Sequence, residues 1–391
     1  MELRKRLQSS EPSFQVVTGA LMLAFLILSA TIAPSARAQT YSVLHRFSGQ
    51  DGEFPQGRLT LDTTGHGYGT AMDGGANGYG TLFTLSSKQQ TIYSFTGSSG
   101  SYPLSGVTRD TAGNLYTTNA TGGNGGCGTV IKLDTKGNET VLYSFDGGPD
   151  DGDQPQSALF LDPAGNLYGT TVLGGSRNSG TVFKLSASGA ETILYQFSGG
   201  EYDGAYPYYG LTGDTNGNFY GTTAGDGSST WGTIFEISAT GTYSTLYNFT
   251  GGLDGGRPKT GLHRDSAGNL YGTTKVGGVY GNGTVFELGA NGVETVLYSF
   301  TGGVDGSQPE SGVLEDAAGN FYGTTVYGGA SSFGTVFKLD TLRNETVLHS
   351  FEGGSDGQYP HAPLVQDAKG NLYGTTSEGG ATYGTIFRIA P

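Results

Sequence analysis

Residues 311–351 read SGVLEDAAGN FYGTTVYGGA SSFGTVFKLD TLRNETVLHS F, and this stretch decides the fold. It contains four short runs rich in Val, Leu, Phe, Tyr and Thr, separated by turn sequences, and these are strand and hairpin signals. The predicted strands are a (Gly312–Asp316), b (Asn320–Thr325), c (Gly334–Leu339) and d (Thr346–Phe351). Polar and apolar residues alternate only weakly within them, which is typical of strands covered on both faces.

The same unit returns along the whole chain, which identifies a repeat architecture. Its signature tyrosines recur at intervals of 48 to 52 residues: Tyr68, Tyr116, Tyr168, Tyr220, Tyr271, Tyr322 and Tyr373. Six units are complete. The seventh is split, because Tyr41–Phe47 forms a lone strand d and Gly384–Ile389 forms a final strand c. We therefore predict an all-β fold, a single seven-bladed β-propeller with four antiparallel strands per blade. The N-terminal strand would close the last blade and leave no exposed sheet edge.

A glycine stands in the middle of most b strands, as at Gly323, whereas unit two carries Thr117 there. Glycine weakens a strand unless another group must approach its backbone closely. We expect an aromatic side chain of strand c or d, such as Phe337 or Tyr298, to lie over this glycine.

The composition agrees with many short strands and turns. Glycine supplies 71 of 391 residues, or about 18 % where about 7 % is usual. Such a chain cannot be mainly helical, because each glycine in a helix interior costs about 1 kcal/mol. It is also too aromatic for disorder, with 24 Tyr and 20 Phe.

Residues 1–38 are predicted to be a signal peptide. A basic segment, Arg4 to Arg6, precedes an apolar run from Val16 to Ala33, and Ala36-Arg37-Ala38 has the pattern of a cleavage site. The alternative is an uncleaved N-terminal anchor, since a run of about 18 apolar residues can just span a bilayer. We expect cleavage, leaving residues 39–391 as a propeller of seven repeats of about 51 residues. The mature protein would be extracellular, secreted or periplasmic, without a membrane span.

The charge and cysteine content limit the partners. The formal net charge is −14, which excludes nucleic acid as a partner because phosphate backbones are bound by basic surfaces. Cys127 is the only cysteine, so no disulfide stabilises the exported chain. We expect a monomer.

The repeat resembles a known family. The unit G-N-L-Y-G-T-T-x-x-G-G, then G-T-V-F-K-L, then E-T-V-L-Y-S-F is similar to the GloVer tandem repeat of exported bacterial proteins, over essentially all of residues 40–391. The D-x-x-G-N-L-Y segment is distantly similar to NHL repeats, and the double glycine after strand b to kelch repeats. Both of those families are propellers, so the resemblance implies that fold. It carries over no catalytic residues.

The longer connections, d to a and b to c, should lie on one face, which we call the long-loop face. Binding sites are usually built on such loops or at the mouth of the channel. The d–a loop repeats G-x-D-G-x-x-P, with Ser99 replacing the aspartate in unit one. These aspartates could supply oxygen ligands to Ca²⁺. The best metal candidate is the cluster Asp150, Asp151 and Asp153. Alternatively, each aspartate caps its own turn. No other cofactor is expected.

Aromatic residues also collect on the long-loop face. Rings beside carboxylates suit a sugar ligand, which needs stacking surfaces and acceptors for its hydroxyls. The alternative is that the rings pack between loops. Unit four departs most from the repeat, and its candidate ligand-binding residues are Trp231, Tyr202, Tyr206, Tyr208, Tyr209 and Asp226.

These observations favour a non-catalytic binding or interaction protein with a carbohydrate-like or protein ligand. One alternative is an exported glycan-active hydrolase or lyase that uses carboxylates at the channel mouth. The acids that break the repeat are Glu201, Asp226, Glu310 and Glu378. A second alternative is a structural protein of the cell envelope. No nucleophile–base pairing or phosphate-binding loop stands out, so no catalytic residue is predicted.

Overall fold

A computed structural model describes residues 39–86, 88–200, 203–225, 231–380 and 382–391. The predicted signal peptide therefore lies outside the described residues, as do Glu201, Tyr202 and Asp226. Thr40–Ala390 forms one compact unit. The secondary structure of the described residues is all β, and none of them belongs to a helix long and apolar enough to cross a membrane.

The strands are short and follow one another with the period of the repeat. In chain order they are β1 (Thr40–Arg46), β2 (Thr60–Leu61), β3 (Gly67–Ala71), β4 (Thr81–Leu85), β5 (Gln89–Ser94), β6 (Thr108–Arg109), β7 (Leu115–Asn119), β8 (Thr129–Leu133), β9 (Glu139–Ser144), β10 (Gly152–Asp153), β11 (Phe160–Leu161), β12 (Leu167–Thr171), β13 (Leu173–Gly174), β14 (Thr181–Leu185), β15 (Glu191–Gln196), β16 (Thr212–Gly213), β17 (Asn218–Thr223), β18 (Thr233–Ser238), β19 (Tyr243–Asn248), β20 (His263–Arg264), β21 (Leu270–Thr274), β22 (Thr284–Leu288), β23 (Glu294–Ser299), β24 (Leu314–Glu315), β25 (Phe321–Thr325), β26 (Thr335–Leu339), β27 (Glu345–Ser350), β28 (Val365–Gln366), β29 (Leu372–Thr376) and β30 (Thr385–Ala390).

Seven four-stranded antiparallel sheets form the blades of a propeller, as predicted. Six blades use consecutive strands a to d, and the seventh has the order β1-β30-β29-β28. In that blade Tyr41 pairs with Ile389, stacks on His349 with ring centroids 3.6 Å apart, and donates its hydroxyl to the Asp356 carbonyl at 2.6 Å. Residues of the seventh and first blades, including Phe47 and Phe83, share one buried cluster. The ring is therefore closed by the N-terminal strand.

The turn between strands a and b explains the G-N-L-Y signature. The Asp316 carboxylate accepts hydrogen bonds from the Asn320 backbone N–H at 2.9 Å, from its side-chain amide at 2.9 Å and from the Tyr322 hydroxyl at 2.9 Å. One aspartate thus satisfies the turn and fixes the tyrosine of strand b, and each of the seven units has an equivalent tyrosine–aspartate bond.

A β-bulge occurs in every pairing of strands c and d. Val336 pairs with His349 and Phe337 with Val347, so Leu348 is an extra residue. The extra residue packs against a hydrophobic cluster in each case: Leu44, Ile92, Leu142, Leu194, Leu246, Leu297 and Leu348. The bulge is a second reason why strand d shows little alternation.

The core lies between adjacent blades. Its most regular element is the phenylalanine after each strand d, fully buried in every blade: Phe47, Phe95, Phe145, Phe197, Phe249, Phe300 and Phe351. The predicted packing over the strand b glycine is found with strand c: a Cβ at Gly323 would lie 2.6 Å from Cζ of Phe337. Tyr298 of strand d instead donates its hydroxyl to Asp305. In the second blade, Thr117 pairs with Ile131. Threonine is larger than the glycine of the other blades, and isoleucine is smaller than their phenylalanine.

The d–a and b–c loops lie on one face, as predicted, because they are hydrogen-bonded to each other in every blade. Six contacts are single bridges, such as Ser307 with Tyr327, and the seventh is the small sheet of β10 and β13. These hydrogen-bonded contacts between the two loops hold the start of each strand a in a fixed position at the centre of the ring.

Candidate binding site in the central channel

The centre of the ring contains a cavity of about 550 Å³, lined in all seven blades by the first strand or the residues just before it. It is the central channel of the propeller. One position of the repeat supplies its most variable side chains: the residue that follows the loop proline. These seven residues, called the post-proline ring, are Gln56, Leu104, Gln156, Tyr208, Lys259, Glu310 and His361.

The backbone before the proline aims these side chains into the channel. The residue directly before the proline is not glycine in any unit, yet its φ is positive and lies between 53° and 62°. These residues are Phe54, Tyr102, Gln154, Tyr206, Arg257, Gln308 and Tyr359. Tyr359 is typical. Its N–H donates to the Phe333 carbonyl of the preceding blade at 3.0 Å, and its carbonyl accepts from Ser377 N–H at 3.1 Å. These bonds hold a conformation that costs an ordinary residue about 1 kcal/mol.

Four consecutive blades place an aromatic ring, a cation, a carboxylate and an imidazole side by side. The Lys259 ammonium lies over the Tyr208 ring, 4.5 Å from its centroid. The Glu310 carboxylate contacts His361 Nδ1 at 3.3 Å with one oxygen and Lys275 Nζ at 2.5 Å with the other. Lys275 comes from the b–c loop of the fifth blade, just beyond β21. We call Tyr208, Lys259, Glu310 and His361 the polar arc.

Burial and charge shift the pKa values in the polar arc in different directions. Burial alone would raise the pKa of Glu310, but hydrogen bonds and positive charge from His361 and Lys275 outweigh it and hold the pKa at about 2. Burial lowers the pKa of Lys259, partly offset by the negative charge of Glu310. Burial, with a smaller contribution from Glu310, raises the pKa of the Tyr209 hydroxyl. The Glu310 carboxylate is therefore ionised throughout the neutral range.

Arg58 approaches the channel from the first blade. Three residues after the proline, the other blades carry only small residues or proline: Gly106, Ala158, Gly210, Gly261, Gly312 and Pro363. Arg58 is exposed and lines the cavity, and partial desolvation lowers its pKa. Among the described residues it has no hydrogen-bond or ion-pair partner.

The structure separates the binding residues predicted in unit four. Tyr208 and Tyr209 line the channel together with Glu310. Tyr206 is 37 % exposed, and its ring lies beside Gly225. Trp231 lines a different, open hollow with Leu253 and Val276.

Trp231 has a packing role that several loop rings share. It covers Gly251, where an added Cβ would lie 2.3 Å from the indole, and the Arg257 guanidinium lies 5.5 Å from its ring centre. Tyr79 covers Gly97 and Phe333 covers Gly353 in the same way. Packing between loops, the alternative drawn from the sequence, accounts for these rings.

The loop aspartates bind their own turns. Asp151 accepts hydrogen bonds from the N–H groups of Asp146 and Gly152, each at 2.7 Å. Asp305 accepts from Thr301 N–H at 2.7 Å and from the Tyr298 hydroxyl at 3.0 Å. Within the described parts of the chain, no group of three or more His, Cys, Asp or Glu side chains is placed to hold a metal. Calcium binding by Asp150, Asp151 and Asp153 stays a prediction.

Two histidines replace the tyrosine of strand d in this bonding pattern. His45 contacts Asp51 at 2.8 Å and His349 contacts Asp356 at 3.0 Å. Both therefore have a structural role at the loop aspartate.

Most of the channel lining was not predicted from the sequence. The lining residues Lys259, Gln56, Gln156 and Arg58 belong neither to the repeated motif nor to the most divergent unit, and the same is true of Lys275, which contacts Glu310. A usable signal was present: the residue that follows the constant loop proline differs from unit to unit in size and charge. The contact between Lys275 and Glu310 could not be predicted in this way, because it joins residues of two different blades.

Comparisons with known proteins give the family and the fold. The model of the Gloeobacter/Verrucomicrobia repeat matches residues 31–223 and 212–391. No curated protein sequence is significantly similar to the chain. A streptogramin B lyase structure is similar with a TM-score of 0.60 at 14 % identity, over 90 % of this chain and 97 % of the lyase. Virginiamycin B lyase from Staphylococcus aureus gives 0.61 at 13 % identity, over 90 % of this chain and 99 % of the lyase. At such identities the likeness shows a common fold only.

Proposed function

The chain belongs to the Gloeobacter/Verrucomicrobia repeat family, and from its channel we propose that it is an exported propeller that binds a small carbohydrate-like ligand without transforming it. The post-proline ring carries this proposal. Six residue types occupy its seven positions on one repeated backbone conformation, so the fold does not require any of them. Side chains that the scaffold leaves free, gathered around one cavity, are available for recognition.

The dimensions and chemistry of the channel support a small ligand. Its volume of about 550 Å³ lies within the range of about 300–1,000 Å³ that is usual for small-molecule sites. Tyr208, Tyr209 and Phe160 offer ring surfaces, and Gln56 and Gln156 offer amides that can both donate and accept hydrogen bonds. Stacking surfaces next to such groups suit a sugar ring.

Hydrolysis of a glycosidic bond is less well supported. It ordinarily needs two carboxyl groups on opposite sides of the bond, one of them protonated. Among the described residues that line the channel, Glu310 is the only carboxylate, and its pKa of about 2 leaves it without a proton to donate. Glu378, another predicted acid, lies outside the lining and accepts a hydrogen bond from Gln358 at 2.8 Å.

A lyase is the second candidate, favoured by one observation. Burial lowers the pKa of Lys259, which brings an amine toward the range in which it can act as a general base. Incubation with polysaccharides and detection of unsaturated products would reveal this activity. Turnover lost in Lys259→Met would replace the binding proposal with a catalytic one.

The binding proposal is tested with a glycan array, followed by calorimetry on the strongest glycan. Tyr208→Ala should weaken binding about tenfold, because it removes one ring surface from the channel. Trp231→Ala is the matched control, since it removes a larger ring from the long-loop face outside the channel. An array without any bound glycan, or equal losses in the two variants, would reject the channel as the site.

A further inference from the structure

The channel is positively charged in a protein that is acidic as a whole. The chain has a formal net charge of −14. The described residues that line the cavity nevertheless include two arginines, one lysine and two histidines against a single carboxylate: Arg58, Arg109, Lys259, His263, His361 and Glu310. A concave site of one sign concentrates ligands of the opposite sign.

The single carboxylate does not cancel this charge. Glu310 is already neutralised by its own partners, Lys275 at 2.5 Å and His361 at 3.3 Å. His263 is also paired, with Glu315 at 2.8 Å, and Glu315 is not part of the lining. Lys259 makes no salt bridge among the described residues, and its ammonium lies over the Tyr208 ring. Lys259, Arg58 and Arg109, which make no salt bridge among the described residues, therefore contribute the uncompensated positive charge.

The fold gives no reason for Arg58. Glycine, alanine or proline suffices at the same position in all six other blades. Arg58 is exposed to the cavity and makes no ion pair among the described residues, so its guanidinium is available to a ligand. Its planar pairs of N–H groups match the geometry of a carboxylate or a phosphate. An anion that enters the channel would form such a charge-assisted pair with Arg58.

We propose that the ligand of the channel is an acidic saccharide, whose carboxylate or phosphate pairs with Arg58 while Lys259 adds attraction from the opposite part of the lining. This inference rests on the proposed function and narrows its ligand class. The anionic group is the shared chemistry, and uronic acids and sugar phosphates are its two sources.

The first experiment is an array that contains neutral, uronic-acid and phosphorylated glycans. We expect the bound glycans to be acidic, and the uronate and phosphate spots identify the source. Calorimetry then compares the best glycan with its neutral counterpart, for a uronate the carboxyl-reduced sugar. The acidic form should bind at least about tenfold more tightly, with affinity falling as salt is added.

Variants of Arg58 test whether this residue pairs with the acidic group of the glycan. Arg58→Gln should weaken the acidic glycan about 10- to 100-fold and leave the neutral counterpart unchanged, since it removes a charge-assisted pair. Arg58→Lys should restore part of the preference. Arg58→Gly reproduces the residue of four other blades, which guards against misfolding. Arg177→Gln is the matched control, because it removes an exposed arginine from a b–c loop outside the channel.

The outcomes separate the two proposals. Neutral glycans that bind through Tyr208 with no effect of Arg58→Gln would overturn the acidic ligand and keep the binding function. Equal losses in Arg58→Gln and Arg177→Gln would also overturn it, because they indicate a general charge effect. An array without any bound glycan would overturn both.

Discussion

The residues on either side of the loop proline are under opposite constraints. The residue before it, such as Tyr206 or Tyr359, has a left-handed backbone conformation and is held by hydrogen bonds to two loops. The residue after it can be Gln, Leu, Tyr, Lys, Glu or His without any change in that conformation. A fixed backbone followed by a free side chain allows the channel to change its chemistry while the propeller keeps its geometry.

At Gly323 the constraint is steric, and we predict that Gly323→Ala lowers the free energy of unfolding by about 1–3 kcal/mol. The added Cβ would lie 2.6 Å from Cζ and 2.9 Å from Cε1 of Phe337, whose ring is fully buried. Urea unfolding measures the loss. Gly303→Ala is the control, since its nearest atom, Thr301 Oγ1, lies at 3.4 Å.

The second blade provides the compensating change. It pairs Thr117 with Ile131 where the sixth blade pairs Gly323 with Phe337. Phe337→Ile should therefore recover part of the stability lost in Gly323→Ala, and the double-mutant cycle should give a coupling free energy above about 0.5 kcal/mol. Strictly additive losses would show that the ring does not confine this glycine.

The elements show what could be predicted from the sequence. Strands b, c and d were found within one or two residues, because Val, Phe, Tyr and Thr mark them and Asn and Gly bound them. Strand a was predicted over Gly312–Asp316 but pairs with strand b only over Leu314–Glu315. Its first residues face the neighbouring strand a instead: a Cβ at Gly312 would lie 2.4 Å from the Gly261 carbonyl. Contacts of this kind join residues 51 positions apart, and the local pattern does not contain them.

The strand β1 tests ring closure. Deletion of residues 40–47 should lower the melting temperature markedly or cause oligomerisation, because β30 becomes an unpaired edge. Light scattering and thermal unfolding measure the effect. A synthetic peptide of residues 40–47 added to the shortened protein should restore both properties, and the same peptide with Val43→Pro should not. A shortened chain that stays a monomer with unchanged stability would show that β1 does not hold the ring together.

At the scale of the whole molecule, partly buried pairs of acidic residues recur where one blade meets the next. Glu191, Glu294 and Glu345 begin the outer strands of three blades, and one oxygen of each carboxylate is buried without a hydrogen-bond partner in the described structure. Burial first, and then the negative charge of Asp151, Asp254 or Asp305, raises each pKa to about 7. The ring therefore contains three glutamates that ionise near neutral pH.

The stability of the propeller should decrease between pH 5 and pH 8 for this reason. Each glutamate binds its proton more tightly in the folded state, with a pKa of about 7 against the ordinary 4.5. Its contribution is complete below pH 4.5 and is lost as the pH rises through 7. Because the side chains are partly exposed, we expect a loss of about 1 kcal/mol each, or roughly 2 °C in melting temperature.

Single variants separate this effect from the general repulsion of an acidic protein. Glu345→Gln removes one ionising group and should raise the melting temperature at pH 8 more than at pH 5. Glu352→Gln changes the net charge by the same amount at an exposed loop position and should raise both temperatures alike. Differential scanning calorimetry at the two pH values measures the difference. If the two variants have the same pH dependence, the decrease comes from the net charge of the molecule and the contacts between blades do not sense pH.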